Sequence, residues 1–153
     1  MISLTGLGHI LLRVLDLERS KKFYAEVLGF QILEEDPEHG GTFMALPGQS
    51  HAIDLFAVKD PEAARRQAPG VRGLGHIAFR VGSEEALREA YATLQQHGVT
   101  ITRTIDHVSQ KSLYFDDPDG NMLEIYYELP DALEIFARGR ADRDVPLALD
   151  GAP

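Results

Sequence analysis

Two of the six histidines in this chain sit inside nearly the same words. Gly6-Leu7-Gly8-His9-Ile10-Leu11-Leu12-Arg13-Val14 returns 67 residues later as Gly73-Leu74-Gly75-His76-Ile77-Ala78-Phe79-Arg80-Val81. Alternation puts Ile10, Leu12 and Val14, or Ile77, Phe79 and Val81, on one face of a strand, and the histidine with its arginine on the other. If two copies of one unit pack face to face, both imidazoles enter one concavity, where a divalent metal is their common partner. Glu124 adds a carboxylate, interrupting the apolar run Met122-Leu123-Glu124-Ile125-Tyr126. Two imidazoles and one carboxylate leave positions open for substrate and oxygen on ferrous iron. A lone histidine is more often a satisfied core or surface residue, and a lone strand glutamate can reach water at an edge. Independent accidents, however, would not place both histidines at the same point of a repeat.

Asp54 occupies in the first copy the place Glu124 holds in the second. It reads either as a fourth ligand, which closes the set towards Lewis-acid chemistry, or as an ion-pair partner of Arg13 or Arg80. His51 lies just before the strand carrying Asp54, and His107 lies in the loop before the strand bearing Tyr114. Imidazoles at the mouth of a metal site could take and return protons, although position alone favours two ordinary loop histidines and a tyrosine hydroxyl in water. His39 and His97 read as loop and helix-terminus residues with no assigned role.

The elements that must position these groups repeat as well. Asp16 can cap a helix with Ser20, Phe23, Tyr24, Val27 and Leu28 at helical spacing, ended by Gly29 in a left-handed conformation. Strands are expected at Phe30 to Leu33, Thr42 to Leu46 and Ala52 to Val58, so module one (4–58) is βαβββ. Residues 59–72, with Pro61, Arg65-Arg66 and Pro69-Gly70, read as a linker carrying at most a short helix. Module two (73–129) replays the order. Ser83 caps a helix with Leu87, Ala90, Tyr91 and Leu94 on one face, Gly98 stops it, and strands follow at Val99 to Thr104, Lys111 to Phe115 and Met122 to Leu129. A short helix with Leu133, Ile135 and Phe136 is expected in the segment 130–153. The tail from Arg138 is polar enough to be loose or to cap a cavity.

At 153 residues the chain suits one α+β domain, 1–153, made of two modules. A net charge of -9 and the absence of a Lys/Arg stripe speak against nucleic-acid binding. With no cysteine there is no disulfide framework, thiolate metal site or cysteine nucleophile. No apolar run approaches membrane-spanning length and no leader is evident, so a soluble, cytoplasmic protein without a membrane partner is expected.

The repeat, the Phe23-Tyr24 helix ending in Val27-Leu28-Gly29-Phe30, and the Asp117-Pro118-Asp119-Gly120 turn before Glu124 together resemble the vicinal oxygen chelate superfamily over roughly residues 4–129. That resemblance implies paired βαβββ modules forming a half-open barrel around a metal. Ile105-Asp106-His107, then Leu113-Tyr114-Phe115-Asp116-Asp117-Pro118-Asp119-Gly120 and Glu124, is further similar to the signature of type I extradiol ring-cleavage dioxygenases. It implies His9, His76 and Glu124 as ligands of Fe(II), with Mn(II) as the alternative ion. By the same resemblance His51 is the acid/base group, and His107 and Tyr114 contact the catecholate or its oxygen. The implied partners are a small aromatic diol, O2 and a second copy of the chain. Two departures stand out: members with four modules are familiar, whereas this chain has two, and Asp54 matches a glyoxalase-type ligand that extradiol enzymes lack. A glyoxalase-like isomerase or lyase, or a metabolite- or drug-binding resistance protein of the same fold, is the competing expectation.

Overall fold

The structure is a computed structural model that describes residues 2–3, 6–62, 64, 73–139 and 143–149. The chain divides into two compact units, Met1–Arg66 and Gln67–Pro153, parting inside the expected linker. Most of that linker, with its expected short helix, lies outside the described residues.

In the first unit the order is strand β1 (Ile10–Val14), helix α1 (Leu17–Lys22), a π-helical turn (Phe23–Val27), then strands β2 (Gln31–Asp36), β3 (Gly41–Ala45) and β4 (Ile53–Ala57). The sheet runs β1-β4-β3-β2, with β1 parallel to β4 and the other pairs antiparallel. Asp16 caps α1 by accepting from the Arg19 backbone N–H at 3.0 Å, which satisfies one of the open donors of the first turn. The helix does not continue regularly to Leu28. It widens into the π-helical turn, and the consecutive Phe23 and Tyr24 are both buried there. Gly29 follows at φ +76°, a value that a residue with a Cβ adopts only with strain. Leu12, Val14, Met44, Ile53 and Leu55 form the core, and Tyr24 meets Phe30 edge to face at 5.8 Å. β2 is shifted and longer than the apolar pattern suggests. Its charged residues pair antiparallel with β3 across a bulge between Ile32 and Glu34, on an edge strand where they remain in water.

The second unit repeats the plan with strand β5 (Ile77–Val81), helix α2 (Glu84–Gln96), and strands β6 (Ile101–Asp106), β7 (Gln110–Asp116) and β8 (Met122–Glu128). It then adds helix α3 (Ala132–Ala137) and a two-residue strand, β9 (Val145–Pro146). The sheet runs β5-β8-β7-β6-β9, again with the opening strand parallel to the closing one. Ser83 Oγ accepts from the Ala86 N–H at 3.1 Å, and Gly98 stands at φ +69° after the helix. The expected apolar face of α2 is the one covered: Leu87 and Leu94 are buried and pack over β5 to β8. α3 forms where expected, but its face is set by Ala132, which is buried, while Leu133 and Phe136 are exposed. The described part of the tail is strung along β6, with Leu147 N–H donating to Thr104 O at 3.2 Å and Leu149 buried. Each half is thus a βαβββ module of an α+β protein, the arrangement that the resemblance drawn from the sequence implies. Among the described residues no helix is long and apolar enough to cross a membrane.

Removing the Leu94 side chain leaves a hole under α2 and should cost about 2–5 kcal/mol, whereas Ser83→Ala loses only a cap and should cost about 1 kcal/mol. Urea unfolding of the two variants checks the ranking.

Candidate metal and proton-transfer site

The parallel pairing of opening and closing strands creates the same juxtaposition in both units. Leu11 faces Asp54 across β1 and β4, and Ala78 faces Glu124 across β5 and β8. Side chains two residues apart share a face, so each carboxylate lies beside the histidine two places before its strand partner.

In the first unit His9 Nε2 lies 3.4 Å from Asp54 Oδ2, and His51 Nε2 lies 3.1 Å from His9 Nδ1. The two imidazoles lie 4.5 Å apart between centroids, tilted by 40°, and Phe43 meets His51 edge-on at 5.8 Å. Asp54 is buried at 3% exposure, and its Oδ1 has no hydrogen-bond partner among the described residues. Burial without a partner is costly for a carboxylate oxygen, and a cation or a proton would relieve it. One donor atom from each of His9, His51 and Asp54 falls within 4.8 Å of the others. Divalent ions bind such nitrogens and oxygens at about 2.0–2.2 Å, so a small contraction would let one ion reach all three. The expected pairing of Asp54 with Arg13 does not form. Arg13 Nη1 instead donates to Ala57 O at 3.4 Å, and the guanidinium lies over Phe56.

The second unit carries a longer string of contacts. His76 Nε2 lies 2.9 Å from Glu124 Oε2, and Tyr114 OH donates to Glu124 Oε1 at 3.0 Å. Tyr114 OH is in turn 2.9 Å from His107 Nε2, and His107 Nδ1 is 2.7 Å from Asp144 Oδ1. Gln110 Nε2 donates to the same Glu124 Oε1 at 3.0 Å. Glu124 is 3% exposed, so its charge is held by these neighbours instead of by bulk water. Arg103 lies over the Tyr114 ring at 4.2 Å from its centroid. Burial, then the adjacent Glu124 carboxylate, pushes the Tyr114 phenol up to about 12.

The loop that presents His107 is strained. Val108 has φ 70°, a left-handed conformation that a β-branched residue seldom adopts. It is held by Val108 N–H to Asp106 Oδ1 at 2.8 Å, His107 N–H to Gln110 O at 2.8 Å, and Leu129 N–H to Ser109 O at 3.0 Å.

Of the residues singled out in the sequence, His9, His51 and Asp54 therefore meet in the first unit, and His76, His107, Tyr114 and Glu124 meet in the second. His39 pairs with Asp36 in a surface turn, and His97 stands at the C-terminal end of α2. Sequence reasoning missed Gln110 and Asp144. Gln110 and Ser112 lie at even spacing from Tyr114 on β7, so alternation could have put both on its face. Asp144 had no such signal.

The sequence profile of the Glyoxalase/Bleomycin resistance protein/Dioxygenase superfamily matches residues 6–125. Catechol-2,3-dioxygenase of Bacillus subtilis (strain 168) is 33% identical over 126 residues, covering 82% of this chain and 42% of that protein. Lactoylglutathione lyase of Schizosaccharomyces pombe is 28% identical over 142 residues, covering 78% of this chain and 46% of that protein. The chain thus spans less than half the length of either relative. Among solved structures, a glyoxylase/bleomycin resistance protein/dioxygenase domain from Frankia sp. EAN1pec matches with a TM-score of 0.71 and 27% identity, over 84% of this chain and 95% of that one.

Because the folded state holds the Tyr114 proton more tightly than the unfolded chain does, its contribution to stability is complete below about pH 10 and is lost as pH rises towards 12. Phenolate absorbance of the metal-free protein should show a late-titrating tyrosine that Tyr114→Phe removes. Loss of native signal between those pH values should be steeper in the parent than in the variant.

Proposed function

Since the chain belongs to the glyoxalase/bleomycin resistance protein/dioxygenase superfamily, we propose that it is a metal-dependent extradiol dioxygenase that cleaves a catechol-type ring beside its two hydroxyls, inserting both atoms of O2. The observation that carries this reading is the cluster in which a buried carboxylate, Glu124, is met at once by His76, Tyr114 and Gln110, with His107 behind the phenol.

His9, His76 and Glu124 would hold the ion, iron(II) with manganese(II) as the alternative. Their nitrogen and oxygen donors suit either metal. When bound, the ion lowers the pKa of the diol and supplies the one-electron chemistry that O2 needs. The chain's own groups do the rest. His51, a half-exposed imidazole beside His9, accepts the second diol proton as the ring is attacked. Tyr114 and His107 donate hydrogen bonds to negative charge developing on the substrate oxygens, which counts most where water is excluded. The raised pKa of Tyr114 keeps it a donor at neutral pH. Gln110 fixes the orientation of Glu124, as a partner behind a ligand does.

One observation favours a second reading: Asp54 is buried beside His9, and its Oδ1 has no hydrogen bond among the described residues. With Asp54 as a fourth ligand fewer positions stay free, and a glyoxalase-like isomerase or lyase acting on a chelated oxyanion becomes the better description.

Anaerobically reconstituted iron protein should take up oxygen when a panel of catechols is added, and His51→Ala should slow turnover by about 10²-fold or more while retaining its metal. Equal activity of His51→Ala and the parent would remove the acid/base role. Asp54→Asn separates the two readings. Retained metal and ring cleavage fit the dioxygenase, whereas loss of metal, together with thiol-dependent isomerisation by a nickel- or zinc-loaded parent, fits the lyase.

A further inference from the structure

Asp144 lies outside the superfamily match, which ends at residue 125, yet its carboxylate is 2.7 Å from the inner ring nitrogen of His107. It is carried there by the segment after α3. β9 pairs antiparallel with β6, so that Val145 faces Asp106, and Leu147 N–H bonds Thr104 O. Thr104 Oγ1 donates to Leu147 O at 2.6 Å, Arg88 Nη1 donates to Leu149 O at 3.3 Å, and Leu149 is buried. The segment is therefore docked on both sides of β9, not merely lying near the site.

Three links run in series from Asp144: to His107 at 2.7 Å, to Tyr114 at 2.9 Å and to Glu124 at 3.0 Å. A carboxylate can only accept, so Asp144 takes a hydrogen from Nδ1. With the Nδ1 hydrogen directed at Asp144, the His107 ring is held with Nε2 facing the Tyr114 hydroxyl, which itself lies against Glu124 Oε1.

We propose that Asp144 is a positioning residue for this site: by accepting from Nδ1 it fixes the orientation of the His107 ring, so that Nε2 faces the Tyr114 hydroxyl and the substrate oxygen beyond it. The C-terminal segment is then part of the site. The kinetic side of this proposal rests on the dioxygenase reading, and the ring-protonation side does not.

The test uses the full chain. In the metal-free protein at neutral pH, imidazole nitrogen shifts measured by NMR should show hydrogen on Nδ1 of His107. Asp144→Ala and the isosteric Asp144→Asn should lose that pattern, and Asp144→Glu should keep it. Nitrogen shifts in Asp144→Ala identical to those of the parent overturn the proposal, and the Asn variant decides if the Ala variant fails to fold. In iron-loaded protein with the best catechol of the panel, Asp144→Asn should lower kcat about 10- to 100-fold with KM and bound iron held, the scale on which partners of functional imidazoles act. Partial recovery in Asp144→Glu is also expected. An unchanged kcat, or a loss matched by a fall in Tm and not relieved by Glu, overturns it. If the parent consumes no catechol the dioxygenase reading fails by itself, and the NMR result still decides the role of Asp144.

Discussion

The parallel pairing of each module's first strand with its last is the constraint from which the chemistry follows. These two strands are the most distant in sequence within a module, and hydrogen-bonding them side by side is what brings a histidine from one end against a carboxylate from the other. A slip of one residue would turn the carboxylate to the opposite face and leave the imidazole facing an apolar residue. Register is guarded by the core. Leu12 and Val14 on β1 are buried on the same face as Ile53 and Leu55 on β4, and Ile77 on β5 is buried beside Leu123 and Ile125 on β8. The apolar face thus fixes, by exclusion, where the polar face must look.

The two copies use this frame differently. In the first, the carboxylate is the short Asp54, 3.4 Å from its histidine, with a second imidazole in contact with the first. In the second, Glu124 reaches to 2.9 Å and is surrounded by a phenol and an amide. The extra methylene lets Glu124 meet three partners at once, whereas Asp54 leaves one oxygen with no hydrogen bond among the described residues and only the His51 imidazole near it, at 3.8 Å. The repeat supplies matching positions, and differences at single residues give one carboxylate more hydrogen bonds and leave the other beside two imidazoles in mutual contact.

Most of the frame was legible because it is written in short-range terms. Asp16, Ser83, Gly29 and Gly98 mark helix ends by local backbone chemistry, and the 67-residue spacing of His9 and His76 ties the modules together. Local signals failed where neighbours outvoted them. β2 is drawn out by pairing with β3 despite its charges, and the helix after Lys22 widens to bury Phe23 and Tyr24 together. In the sites, His51, His107, Tyr114 and Glu124 could be picked out by residue type and position, but the links among them could not. Asp144 was invisible because only the docking of a two-residue strand 37 positions away brings it to His107.

β9 also changes what the second sheet presents to its surroundings. The equivalent outer strand of the first sheet, β2, has no strand beyond it in that sheet among the described residues and is blunted by a bulge and a row of acidic side chains. β6 carries fewer charges and is instead sealed over its last two residues by the chain itself. Open strand edges recruit other chains into stacked, fibre-like assemblies, and natural proteins deter this either by electrostatic repulsion or by physical occlusion. One copy of the repeat uses the first defence and the other the second, so high salt would erode the protection of one sheet and leave that of its sibling largely intact.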